Sequence, residues 1–84
     1  MFDVEYANQA KKFLRKTEKI QTKRILEKIE GLCNEPIPHD AKSVEGYREK
    51  LFRVRVGDYR ILYEVHYARK IIGIVKIDKR SRVY

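Results

Sequence analysis

Eighty-four residues with a single cysteine and a formal charge of +8 describe one small domain, 1–84, without an internal disulfide. The longest apolar run, Ile71 to Val75, is far short of the ~20 residues that span a bilayer, and Met1–Glu5 lacks the basic and apolar regions of a signal peptide. A cytoplasmic protein is expected, with Cys33 a packed thiol in a reducing compartment.

Phe2 to Tyr6 alternates apolar and acidic residues, the period of a half-buried strand. Asn8 is suited to cap a helix in which Ala10, Phe13 and Leu14 share one face. Thr17 is suited to cap a second helix, along which Thr22, Ile25, Leu26, Ile29, Leu32 and Cys33 form a continuous apolar stripe. Pro36 and Pro38 end it, and residues 35–46 read as loop.

From Tyr47 the period changes to two. Phe52, Val54 and Val56 fall on one side of a strand and Leu51, Arg53 and Arg55 on the other. Gly57-Asp58 is a two-residue turn led by glycine, as type I′ or II′ hairpins require. Tyr59, Ile61, Tyr63, Val65 and Tyr67 continue the apolar face, with Arg60, Leu62, Glu64 and His66 opposite. After a turn at 68–70, Ile71 to Ile77 is apolar almost throughout, as a central strand would be. The expected fold is α+β in the order β-α-α-β-β-β, an antiparallel sheet with a helical hairpin packed on one face. The arginines then occupy the other face.

The charge is not evenly spread. Residues 1–46 hold nine Lys and Arg against eight Asp and Glu; residues 47–84 hold eleven against four. A basic half made of strands and a tail fits a polyanion such as RNA, which binds through counterion release. A membrane surface would instead favour cations on an amphipathic helix. The 38% content of charged residues and the few amides also follow a trend of proteins from hot environments.

The usual catalytic sets are missing from the sequence. The four glycines are scattered, His39 and His66 have no ligand-spaced partners, and the carboxylates of the basic half are dispersed. No metal and no cofactor are therefore expected. RNA, however, carries its own nucleophile, the 2′-hydroxyl, so an enzyme need only align it, neutralise the phosphorane and move two protons. Arg53, Arg55, Arg60, Lys79 and Arg80 can supply charge, and Tyr84 can move a proton if nearby cations lower its pKa.

The element order, the segment LFRVRVGDYRILYEV and the closing KIDKRSRVY together resemble the RelE/ParE toxin superfamily, RelE-type messenger-RNA interferases above all. The resemblance spans essentially the whole chain. It implies a toxin of a type II toxin–antitoxin system, a ribosome-dependent endoribonuclease that cuts mRNA in the A site through the 2′-hydroxyl. It also implies a cognate antitoxin that wraps around the toxin. By position it assigns catalytic roles to Arg53, Arg55, Arg60, Arg80 and Tyr84, with Lys50, Lys79 and Arg82 as RNA contacts. Arg53 and Arg55 stand where RelE-type enzymes have lysines, and arginine is a poor base. The sequence ends at Tyr84, which sets a carboxylate beside that phenol. Two alternatives remain: a ParE-like inhibitor of DNA gyrase, which lacks the cation cluster, and a basic RNA-binding module.

Overall fold

The computed structural model describes residues 1–79; Arg80, Arg82 and Tyr84 lie outside them. Five strands and two helices follow in the order β1 (Asp3–Tyr6), α1 (Asn8–Lys16), α2 (Lys19–Asn34), β2 (Lys42–Val44), β3 (Leu51–Val56), β4 (Tyr59–His66) and β5 (Ile71–Lys79). They form one sheet with spatial order β1-β5-β4-β3-β2. The α+β architecture is as expected, with both helices on one face of the sheet.

Two features extend the expected sheet. The stretch read as loop contains β2, whose three residues pair antiparallel with β3. Lys-Ser-Val carries no periodic signal, and only the neighbouring strand makes it extended. β1 runs parallel to β5, so the sheet is mixed rather than wholly antiparallel. β5 is thereby central, as its near-continuous apolar run required.

The core lies between sheet and helices. Ile25, Ile29, Leu32 and Cys33 of α2 and Ala10 of α1 meet Phe52, Val54 and Val56 of β3, Ile61 and Tyr63 of β4, and Ile72, Ile74 and Ile77 of β5. Each fully buried aliphatic side chain contributes about 1.5–3 kcal/mol in transfer free energy. Leu26 departs from the expected stripe and is 40% exposed, because a face wide enough to include it turns past the sheet. Burial first, then Asp3 and Glu30, raises the Cys33 pKa, which keeps a neutral packed thiol there.

Neither expected cap works as such. Asn8 is the first helical residue after Ala7, with no side-chain cap bond, and Glu18 precedes α2 in the same way. Thr17 instead closes α1: its hydroxyl donates to the Phe13 carbonyl at 2.7 Å. The Thr22 hydroxyl reaches back to the Thr17 and Leu14 carbonyls, both at 3.3 Å, which holds the two helices at a tight corner.

The hairpin turn is confirmed. Val56 pairs with Tyr59 across Gly57-Asp58, and Gly57 alone of the two has positive φ (57°), the type II′ pattern. β5 carries a bulge. Tyr63 pairs with Ile74 and Leu62 with Lys76, so Val75 is the extra residue. Without it Lys76 would enter the core and Ile77 would leave it. The bulge restores alternation, so that Ile72, Ile74 and Ile77 are all buried.

Candidate functional site

The sheet face away from the helices is set by strand register. From the Gly57 turn outwards, one cross-strand row is Arg55–Arg60–Asp78 and the next is Lys42–Arg53–Leu62–Lys76. Five cations from four strands thus gather at one end of one face. Two arginines directly opposite each other, Arg55 and Arg60, repel rather than stabilise. Such an arrangement is suited to an incoming anion that can bridge them by forked hydrogen bonds.

Arg60 is already held. Its Nε donates to Asp78 Oδ1 at 3.0 Å and its Nη2 to Oδ2 at 3.1 Å, a two-pronged pair with side chains 35% and 25% exposed. Lys76 Nζ lies 3.9 Å from the same carboxylate. Arg53, Arg55 and Lys42 make no ion pair among the described residues. Arg53, Arg55 and Lys42 line a groove of about 200 Å³ with Asp40, which is itself taken by Lys28 at 2.7 Å. That hydrogen bond holds the Asp40 carboxyl below its ordinary pKa.

The cationic surface continues round the turn. A Cβ on Gly57 would stand 3.4 Å from both terminal nitrogens of Arg24, so the guanidinium lies over the glycine. Arg24, Lys28 and Arg55, with one carboxylate, Glu27, among them, line a groove of about 480 Å³ there.

The backbone under the site is fixed from α1. Gln9 donates to the Ile77 carbonyl at 2.7 Å and accepts from the Ile77 N–H at 2.9 Å. β1 pairs with β5 only as far as Ile74, so the amide of Gln9 satisfies the edge where the neighbouring strand has ended. Tyr63, by contrast, belongs to the core: fully buried, it donates to the Pro36 carbonyl at 2.7 Å, and burial pushes its pKa up to about 12.

The residues singled out in the sequence divide into three groups. Arg53, Arg55 and Arg60 come together on the open face. Lys50 and Lys79 do not join them. Lys50 sits 5.7 Å over the Phe52 ring at the far end of β3, and Lys79 pairs with Tyr59, whose ring packs on Phe13 of α1, on the helix side. Arg80, Arg82 and Tyr84 fall outside the described residues. Lys42, Lys76, Asp78, Gln9 and Arg24 are additions. Ile71 and Val75 are apolar as well, so the two-then-three spacing of the buried Ile72, Ile74 and Ile77, which marks the bulge that places Asp78, emerges only from the structure.

Among the described residues no group of three or more His, Cys, Asp or Glu is placed to hold a metal ion, and no helix is long and apolar enough to cross a membrane.

Comparison with known proteins agrees with this geometry. The model of the family "ParE toxin of type II toxin-antitoxin system, parDE" matches residues 4–84. The chain is 35% identical over 86 aligned positions to RelE1 of Methanocaldococcus jannaschii, covering 99% of this chain and 94% of that protein. It superposes on RelE in the archaeal RelE–RelB complex of Pyrococcus horikoshii OT3 with a TM-score of 0.83 at 35% identity, covering 98% of each chain. It also shares the fold of isolated E. coli RelE (TM-score 0.84, 17% identity, 98% of this chain and 87% of that one). The chain therefore belongs to the RelE/ParE toxin family of type II toxin–antitoxin systems, and within it is RelE-like.

Proposed function

We propose that this toxin is a ribosome-dependent endoribonuclease that cleaves mRNA through the 2′-hydroxyl. The observation that carries this reading is the convergence of Arg53, Arg55, Arg60, Lys42 and Lys76 on one end of the open sheet face. In the reaction the 2′-oxygen attacks phosphorus and the 5′-oxygen leaves, giving a 2′,3′-cyclic phosphate and a 5′-hydroxyl. The 2′-proton passes to a base and a proton is returned to the leaving oxygen. Arg55 and Arg60 hold the scissile phosphate and neutralise the phosphorane; Arg53 and Lys42 position the neighbouring backbone. No step calls for a metal ion. Tyr84 is the proposed proton acceptor and Arg80 a third phosphate ligand, with Arg82 a backbone contact. A toxin working on ribosomes acts in the cytoplasm.

A cognate antitoxin is the proposed partner. RelE is complexed with RelB in the Pyrococcus horikoshii structure. On the helix side, a groove of about 440 Å³ between α1 and α2 is lined by Leu14, Thr22 and Leu26 together with Arg15, Lys19, Lys23, Glu27 and Glu30, and is suited to an apolar stripe flanked by charges of both signs.

A second reading, gyrase inhibition, is favoured by the ParE name of the matching family. Primer extension on mRNA in a translation extract separates the two. Codon-phased breaks on adding the protein are expected; intact mRNA together with arrested DNA supercoiling would establish the gyrase reading instead.

A further inference from the structure

We infer that Asp78 is a positioning residue for Arg60, holding one edge of its guanidinium so that the remaining donors are fixed for phosphate. The inference rests on the RNA-cleaving reading above. Guanidinium has five N–H donors in a rigid plane. Asp78 takes one from Nε and one from Nη2, which leaves both on Nη1 and one on Nη2. An unpaired arginine on a strand samples many rotamers; a two-pronged carboxylate selects one plane. Donors already in place need no reorganisation when charge develops on the phosphorane.

Two features of the surroundings fix where this carboxylate stands. The bulge at Val75 sets Asp78, rather than Ile77, opposite Arg60. Gln9 clamps the backbone of Ile77, the residue before it, by two hydrogen bonds. Arg55 stands on the other side of Arg60 in the same row, so the plane fixed by Asp78 is next to a second guanidinium. A half-exposed ion pair adds little stability, and a negative charge inside a cationic cluster weakens its attraction for RNA. Orientation of Arg60 is the gain that offsets this loss.

The test is a mutant cycle in the full chain: Arg60→Ala, Asp78→Ala and the double variant, with Asp78→Asn as the near-isosteric control should Asp78→Ala melt early. Single-turnover cleavage of ribosome-bound mRNA gives the rate of the chemical step separately from half-saturation. Asp78→Ala is expected to slow the chemical step about ten- to a hundredfold, as much as the loss of a carboxylate that orients a metal-ligating histidine does elsewhere. Half-saturation should stay equal or tighten, because a negative charge has been removed. In the Arg60→Ala background, Asp78→Ala should add no further loss. Parent-like rates for Asp78→Ala, or losses that multiply in the double variant, overturn the inference. If the parent leaves mRNA intact, the RNA-cleaving reading fails, and Asp78 is then judged by the arginine side-chain NMR signals. A slowly exchanging Arg60 Nε–H in the parent that disappears in Asp78→Asn supports the fixed guanidinium; its absence from the parent overturns it.

Discussion

The two ends of the open sheet face carry opposite charge on the same strands. At the turn end stand Lys42, Arg53, Arg55, Arg60 and Lys76 around one carboxylate. At the far end, Glu64 lies 2.9 Å from His66 and flanks Gly73, with Glu5 beyond it pairing loosely with Arg69 at 3.7 Å. β4 alone holds Arg60 at one end and Glu64 at the other, about 13 Å apart at the usual rise per residue. That exceeds the Debye length of about 8 Å at physiological salt, so the ends act nearly independently. Four cations of the basic half, Arg53, Arg55, Arg60 and Lys76, thus join Lys42 of the other half at one end of one face. Along β4 the face passes from cationic beside the turn to anionic four residues later.

The largest test of this division is Arg60→Ala against Glu64→Ala. Removing one preorganised donor should lower mRNA cleavage about 10²–10³-fold, whereas Glu64→Ala should leave the rate within about twofold in the same assay. A parent-like Arg60→Ala would erase the functional difference between the ends. Next comes affinity. Lys76→Ala should weaken binding to RNA and reduce the slope of log affinity against log salt by about one, while Glu64→Lys should raise it by about as much. Filter binding across a salt series reads both, and equal slopes for all three proteins would show that phosphate contacts are not confined as described.

Tyr63→Phe sharpens the contrast between the open face and the core. It leaves the half-buried Pro36 carbonyl without its donor, which should cost about 0.5–1.5 kcal/mol in urea unfolding and leave cleavage unchanged below the melting range. The smallest effect concerns Asp40, beside Arg53 and Lys42 in its groove. Lys28 lowers its folded pKa, so the stabilisation is present above the unfolded value and is lost as pH falls through the folded one. Because the pair is largely exposed, Asp40→Asn should cost under about 1 kcal/mol at pH 7, and parent and variant should converge near pH 2.

Local rules carried most of the fold. Gly57 ahead of Asp58 announced the hairpin, and the stripe through Ile25, Ile29, Leu32 and Cys33 announced the buried side of α2. What stayed hidden was set by partners rather than by local pattern. Lys42–Val44 is a strand because β3 offers an edge, and the direction of β1 depends on where β5 lies. Asn8 and Thr17 have cap-forming side chains, yet the tight corner between α1 and α2 uses Thr17 to close the first helix. Arg53, Arg55 and Arg60 were legible as one site from alternation alone. That Arg60 is engaged by Asp78 was not, because pairing residues 18 positions apart requires knowing the bulge.

The clamp between Gln9 and Ile77 joins residues 68 positions apart and has a consequence for timing. At elongation rates of about 5–20 residues per second, the amide of Gln9 waits about 3–14 s for its partner to be synthesised. β1 waits comparably for β5, and long-range parallel pairing is slow once both are present. Lys76 and Asp78 lie on that same last strand, so the working face comes into being only when residue 78 has left the ribosome. A nascent chain interrupted before then holds both helices and the central hairpin but lacks the strand that completes the site. Until β5 is in place, the row that joins Arg55 and Arg60 to Asp78 has no third member and the cationic face is unfinished.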